Sequence, residues 1–130
     1  MSYPGLEYLV DAYGCDPGTL ASIDRLNSVV ERLMRDLKLR PVGKPMWHAF
    51  ATSNAVTGMI LLSDSHVAVH AFPDIQFAAF SLYYGAMRSP WPWSARLHEL
   101  LGARHVEVRV EIRGRLLPGW NMPTGDLKDG

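Results

Sequence analysis

The chain has 130 residues, which suits one domain with a buried core, and 48% of them are hydrophobic. Lys plus Arg and Asp plus Glu number 13 each, so the formal net charge is zero and no basic excess marks a nucleic-acid binder. We expect no signal peptide, and no segment reaches the roughly 18 apolar residues of a membrane span. The single cysteine, Cys15, cannot form an internal disulfide, so we expect a cytoplasmic protein. From the balanced charge and the lack of a membrane span, we expect no nucleic-acid and no membrane partner.

The first part of the chain predicts a strand, a helix and a second strand. An imperfect alternation of apolar residues over 6–13 predicts the first strand. Asp16 suits an N-cap and Pro17 the first helical position. Apolar residues then recur every three or four positions, which predicts one amphipathic helix over 17–37. Residues 46–51 predict a short strand.

The central stretch, residues 57–74, organises the rest of the chain. It begins with an apolar run over 59–62, turns polar over 63–66 and becomes apolar again over 67–69. This pattern predicts a strand, a polar corner and a second strand. An acid, two hydroxyls and two imidazoles are costly to place near a core unless they have a function.

The last part of the chain predicts a strand, a helix and a final strand. Residues 76–84 have the composition of a strand, and two prolines make 85–93 irregular. Ser94 can cap a short helix that Gly102 ends. Clean alternation over 105–112 predicts a strand with one buried face, and the tail from Gly114 is predicted to be loose.

These elements predict the fold class. Helices that cover one face of a mostly antiparallel sheet form a two-layer α+β sandwich. We expect residues 1–130 to form a single domain of this kind. A homodimer would cover the second face of the sheet if that face is apolar.

Two familiar site types fit the polar corner poorly. A hydrolase nucleophile elbow needs glycines beside the serine, and Asp64-Ser65-His66 has none. A metal site on His66 and His70 would need ligands that lie roughly 13 Å apart on an extended strand, at about 3.3 Å per residue. No cysteine or additional histidine cluster completes such a shell, so we expect no metal.

A third possibility is self-cleavage of the backbone between Asp64 and Ser65. The serine hydroxyl can attack the preceding carbonyl, and β-elimination of the resulting ester leaves a dehydroalanine that hydrolyses to a pyruvoyl group. This ketone can form a Schiff base with an amine substrate and act as an electron sink for decarboxylation. Composition alone does not select this chemistry.

A family resemblance does select it. Residues 63–74 resemble the processing motif of the bacterial S-adenosylmethionine decarboxylase family, which reads Ser-Glu-Ser-His, three residues, His, then an aromatic residue, Pro and Glu. Residues 5–16 resemble its first strand with a Tyr-x-Cys-Asp ending, 47–50 resemble its Phe-His-x-Phe strand, and 106–115 resemble its last strand. The resemblance therefore covers most of the chain in order.

The resemblance implies catalytic roles at the central stretch. Cleavage between Asp64 and Ser65 would turn Ser65 into the pyruvoyl cofactor and divide the chain into residues 1–64 and 65–130. His70 would be the base for β-elimination, and Thr57 stands where the family has a serine that assists processing.

The resemblance also implies a binding site for a small-molecule amine. Phe50 stands where an aromatic residue stacks on adenine, and Asp74 where a glutamate holds the ribose hydroxyls. Asp11 matches an acidic position near the active site, and Tyr84 is a further candidate for substrate contact. Small members of the family are homodimers of cleaved protomers.

One position departs from the family. Its proton-donating cysteine corresponds to Gly85, and Ser81, Tyr83 or Tyr84 are the nearby groups that could donate a proton instead. A phenol of pKa about 10 is a weaker acid than a thiol of about 8.5. The primary expectation is a pyruvoyl-dependent S-adenosylmethionine decarboxylase that supplies aminopropyl groups for spermidine synthesis. The alternatives are an arginine or ornithine decarboxylase of the wider family, or a catalytically weak homologue.

Overall fold

The fold is built on one six-stranded antiparallel sheet. The structure, a computed structural model, describes residues 5–85, 89–115 and 117–120. The strands are β1 (Gly5–Tyr13), β2 (Met46–Ala49), β3 (Val56–Leu61), β4 (Ser65–Phe72), β5 (Phe77–Tyr84) and β6 (His105–Arg113). Their order across the sheet is β2-β3-β4-β5-β1-β6, and each neighbouring pair is antiparallel. The predicted strands are therefore confirmed with shifted ends: β2 is two residues and β5 one residue shorter, β1 and β6 are each one residue longer, and β3 and β4 are longer than the apolar runs 59–62 and 67–69.

The helix predicted over residues 17–37 is two helices, α1 (Pro17–Leu20) and α2 (Ile23–Leu37). Asp16 caps α1 as expected, since its side chain accepts the Thr19 N–H. Ser22 then has an extended backbone, and its side chain accepts the N–H of Arg25. This second N-cap starts a new helix, so the prediction of one continuous helix was wrong.

The last helix, α3 (Trp93–Leu101), ends at Gly102, which has the predicted left-handed backbone with φ of 69°. It starts one residue before Ser94, and no side chain caps its first turn. The prediction of Ser94 as the N-cap was wrong because the helix already includes that residue. A short 3-10 turn (Pro73–Ile75) joins β4 to β5.

The helices cover one face of the sheet, so the structure is the predicted α+β sandwich. The sheet side chains on this face include Val10, Val67 and Phe80, each at most 2% exposed, and Phe80 contacts Trp93 of α3. α3 lies against β6, yet Val108 and Val110 of that strand remain 40% and 48% exposed. The core thus lies between the central strands and the helices.

The second face of the sheet, which we call the open face, carries large exposed hydrophobic side chains. They are Tyr13, Met59, Leu61 and Phe72. Several large exposed apolar side chains on one face are typical of an interaction site. The open face also carries the polar residues described below.

Some expectations fall outside the described residues. The predicted irregular stretch includes residues 86–88, and the predicted tail includes residues 116 and 121–130, which the structure does not describe. Within the described ranges, none of the helices has the length and apolar character needed to cross a bilayer.

Candidate active site

The candidate cleavage site lies at the turn that joins β3 to β4. Ser63 and Asp64 form the two-residue loop of this hairpin, and the Leu62 N–H donates to the Ser65 carbonyl oxygen at 2.9 Å. Ser65 is the first residue of β4, and its side chain points toward the helical layer, where only 6% of it is exposed. Its Oγ makes no hydrogen bond with any described residue. A buried hydroxyl in this state is destabilising by about 1–3 kcal/mol, and it is free to react.

Tyr84 is the neighbour of Ser65 on the same face of the sheet. The two residues are paired directly across β4 and β5. Tyr84 is completely buried, and its ring stacks on that of Tyr8 with 5.7 Å between the ring centroids. Tyr84 therefore belongs to the surroundings of Ser65 and not to the open face.

His70 and Thr57 meet on the open face. They are paired across β3 and β4, and the Thr57 Oγ1 lies 3.5 Å from the Nδ1 of His70. Continuing across the sheet, His70 is paired with Ala79, and Ala79 with Asp11 of β1. The open face thus carries a row that holds a hydroxyl, an imidazole and a carboxylate, with a small alanine between the last two.

Phe50 and Asp74 line one pocket at the edge of the open face. The cavity measures about 350 Å³, and its remaining lining is formed by Ser53, Ala55, Phe72 and Ile75. The His48 ring meets Phe50 edge-on, with 4.6 Å between centroids, and this contact orients the aromatic side chain. The pocket combines two phenyl rings with one carboxylate, which suits a ligand that has a flat ring and hydroxyl groups.

The sequence-predicted residues therefore form three separate groups. Ser65 and Tyr84 face the helices, Thr57 and His70 face the opposite side, and Phe50 lies in the pocket beyond them. Ser65 and His70 are five residues apart on one strand, which is roughly 16 Å at about 3.3 Å per residue. Within one chain, the Ser65 and His70 side chains are therefore too far apart to act on the same atom of a bound molecule.

The position of the expected cysteine is glycine, and the one thiol of the chain lies elsewhere. Gly85 follows β5 next to Tyr84. Cys15 is buried at the other end of the sheet, where its N–H donates to the Gln76 carbonyl oxygen, and burial raises the pKa of its thiol to about 11. Tyr83 is on the open face, with its ring stacked on His66 at a centroid distance of 5.9 Å.

Sequence reasoning missed two features of the site. It assigned no role to Phe72, Ser53 and Ile75, although Phe72 belongs to the processing motif and its aromatic ring was the available signal. It also missed the backbone contacts that residues 40–42 make with the cleavage turn. Those contacts use only main-chain atoms, so no residue type signals them.

Comparisons with known proteins identify the family to which the chain belongs. A family model described as S-adenosylmethionine decarboxylase matches residues 6–114, which is most of the chain. The chain belongs to the S-adenosylmethionine decarboxylase family. Proteins of this family are pyruvoyl-dependent carboxy-lyases whose prosthetic group forms from a serine.

Alignments with individual relatives extend over most of this chain. It is 30% identical over 118 residues to the S-adenosylmethionine decarboxylase proenzyme of Pelotomaculum thermopropionicum, covering 88% of this chain and 90% of the relative. It is also 30% identical to the proenzyme of Thermococcus kodakarensis, covering 85% of this chain and 76% of the relative. The crystal structure of the adenosylmethionine decarboxylase from Aquifex aeolicus shares the fold, with a TM-score of 0.75 at 20% identity over 94% of this chain and all of that one.

Proposed function

We propose that this family member is a proenzyme that cleaves itself between Asp64 and Ser65 and then decarboxylates S-adenosylmethionine. The product would supply aminopropyl groups for spermidine synthesis in the cytoplasm, a compartment in which the single buried Cys15 thiol stays reduced. The buried, unpartnered Oγ of Ser65 at a tight turn is the observation that carries the proposal. Cleavage there divides the domain of residues 1–130 into chains 1–64 and 65–130.

The first step is an acyl shift from nitrogen to oxygen. The Ser65 Oγ attacks the carbonyl carbon of Asp64, the C–N bond breaks, and the hydroxyl proton passes to the released amine. A base then removes the Ser65 α-hydrogen, so that the Asp64 carboxylate leaves, and water replaces the nitrogen at the new N-terminus. Burial of Ser65 supports the first step, because its hydroxyl is shielded from water and has no competing hydrogen bond with a described residue.

The surroundings of position 65 fit a pyruvoyl group. Its neighbours on the helix-facing side are apolar or aromatic, with Val67 next along β4 and Tyr84 across on β5. They leave the small ketone without a competing charge. When present, this group supplies the electron sink for loss of the substrate carboxylate.

Substrate binding is assigned to the pocket and the row on the open face. Phe50 can stack on the adenine, and Asp74 can accept hydrogen bonds from the ribose hydroxyls, since both line the same cavity. Asp11 offers a carboxylate to the cationic part of the substrate, and Tyr84 contacts the reacting end beside position 65. The relatives described above do not favour arginine or ornithine as the substrate.

The working form is proposed to be a homodimer. Ser65 and His70 of one chain are roughly 16 Å apart and face opposite sides, so a shared site needs a second copy. A two-fold axis through the open face would bring the β4 start of one copy to the His70 row and Phe50 pocket of the other, and position 65 would turn from the helical side toward that interface once the peptide bond before it is broken. The same contact would cover exposed Met59 and Leu61.

The substrate is tested by release of labelled carbon dioxide. Cleaved protein is incubated separately with carboxyl-labelled S-adenosylmethionine, arginine and ornithine. The proposal expects release from S-adenosylmethionine that exceeds release from either amino acid by at least about a hundredfold, because only the nucleoside fills the pocket. Preferential release from arginine or ornithine would contradict the substrate assignment while leaving self-cleavage intact.

A further inference from the structure

The cleavage turn is held from outside the hairpin by residues 40–42, which we call the strap. The Val42 N–H donates to the Leu61 carbonyl oxygen at 2.8 Å, and Pro41 pairs with Leu62 in an antiparallel bridge. The Arg40 carbonyl oxygen accepts the N–H of Ser63 at 2.9 Å. The strap therefore lies alongside the chain from the end of β3 to Ser63, the residue before Asp64.

The hairpin by itself provides few contacts to its own turn. Two-residue hairpin loops are usually mirror-image turns with positive φ, which match the twist of the paired strands. Neither Ser63 nor Asp64 has a positive φ, and both side chains are exposed. Inside the hairpin, the Leu62 N–H to Ser65 carbonyl bond closes the loop. The bond from Ser63 to the strap fixes the other side of the same loop.

The strap adds little to the core. Arg40, Pro41 and Val42 are all exposed, and half of the Val42 surface is open to solvent. Its described hydrogen bonds and its bridge are made by main-chain atoms and go to β3 and the turn. The position of the strap thus matters for the turn and hardly for the burial of apolar surface.

We propose that the strap is a positioning element for self-cleavage, an inference that rests on the proposed function. Its Arg40 carbonyl fixes Ser63, and the Leu62 N–H fixes the carbonyl of Ser65, so the intervening Asp64 carbonyl is held on both sides. The buried Ser65 Oγ then meets that carbonyl carbon in a set geometry. A misplacement of about 1 Å at reacting atoms can slow a reaction on the order of a hundredfold.

The test variant is Ser63→Pro, which removes the N–H that the strap accepts. Proline suits the second position of a common four-residue turn, and Leu62 before it is already extended. Ser63→Ala keeps the N–H and is the matched control. Cleavage is followed on denaturing gels after cell-free synthesis, and Ser63→Pro is expected to slow it at least about tenfold relative to Ser63→Ala.

Two further measurements separate positioning from stability. Hydroxylamine splits an accumulated ester, so a slowed acyl shift predicts no extra cleavage of Ser63→Pro on its addition. In the uncleavable Ser65→Ala background, the melting temperature should hardly change with Ser63→Pro. A rate equal to that of Ser63→Ala would overturn the inference, as would hydroxylamine-sensitive ester in Ser63→Pro. Absence of cleavage in the unmodified chain would instead contradict the proposed function.

A second pair of variants protects the test from a folding defect. Val42→Pro removes the N–H that bonds to Leu61, and Val42→Ala keeps it while shortening an exposed side chain. If Ser63→Pro does not fold, slower cleavage of Val42→Pro than of Val42→Ala supports the inference. Equal rates in this pair, or loss of folding in both proline variants, would show that the strap does not act by positioning.

Discussion

The two ends of strand β4 differ in what surrounds their functional side chains. At the start, Ser65 faces the helical layer, is almost completely buried and has no hydrogen-bond partner among the described residues. Five residues later, His70 faces the open side, is exposed and lies 3.5 Å from the Thr57 hydroxyl. One strand therefore presents a shielded hydroxyl at one end and an accessible imidazole at the other.

This difference separates two kinds of chemistry. A backbone rearrangement needs a fixed turn and a nucleophile shielded from water, and at the start of β4 the Ser65 side chain is buried beside a hydrogen-bonded turn. Binding of a nucleoside needs an accessible pocket, which lies beyond the other end of β4. Because roughly 16 Å separates Ser65 from His70 along the strand, the proposed homodimer is what would let the two ends cooperate.

Replacement of Ser65 has the largest expected effect. Ser65→Ala removes the attacking hydroxyl, so the chain should remain one 14.5 kDa species on a denaturing gel and release no carbon dioxide from S-adenosylmethionine. Ser94→Ala, which changes an exposed serine of α3, is the control and should cleave normally. Two fragments from Ser65→Ala would place the nucleophile elsewhere.

Loss of His70 tests whether the two ends meet between copies. His70→Ala alone should stall at the ester or remain whole, because the base for β-elimination is missing. When it is co-expressed with Ser65→Ala, the mixed dimer joins an intact Ser65 to an intact His70 from the other copy. Fragments of the His70→Ala chain are then expected on the gel.

The same co-expression can contradict the dimer. Mass spectrometry distinguishes the two chains, so any fragments can be assigned to one of them. If the His70→Ala chain stays whole beside Ser65→Ala although the two chains co-purify, His70 acts within its own chain or does not act at all.

Pocket substitutions should affect binding and leave cleavage unchanged. Phe50→Ala removes the aromatic surface and should raise the KM for S-adenosylmethionine roughly 10- to 100-fold, the equivalent of about 1–3 kcal/mol. Fragment yield on a gel should equal that of the unchanged protein, because Phe50 lies far from the turn. An unchanged KM would remove Phe50 from the binding site.

A smaller effect is expected from restoring the thiol of the family. Gly85→Cys adds a stronger acid than a phenol directly after Tyr84. The kcat should rise several-fold while the cleaved fraction stays constant. Gly85→Ser is the matched control, and an equal increase in both variants would show that acidity is not the cause.

Periodicity predicted most of the fold and failed where a local side chain decided the structure. The alternation over β6 and the three- and four-residue spacing of α2 identified those elements because their buried faces repeat. The break at Ser22 was missed because its apolar neighbours continue the helical spacing. One hydrogen bond, which the Arg25 N–H donates to the Ser22 Oγ, outweighs that pattern.

The candidate site could be predicted as a set of residues but not as an arrangement. The motif identified Ser65 and His70, whereas their odd separation of five residues places their side chains on opposite faces of the strand. The opposite orientation of the two side chains is established only by the structure, in which β4 runs unbroken over 65–72. The strap leaves no sequence signal because Arg40 and Ser63 meet through backbone atoms.

The central claim is that the peptide bond before Ser65 is broken and the serine converted. Intact mass spectrometry of freshly purified protein tests it most directly. The account predicts two chains, residues 1–64 and residues 65–130, with the second lighter by one ammonia and reducible by borohydride at its N-terminus. A single chain of 14.5 kDa with an unmodified serine at position 65 would contradict it.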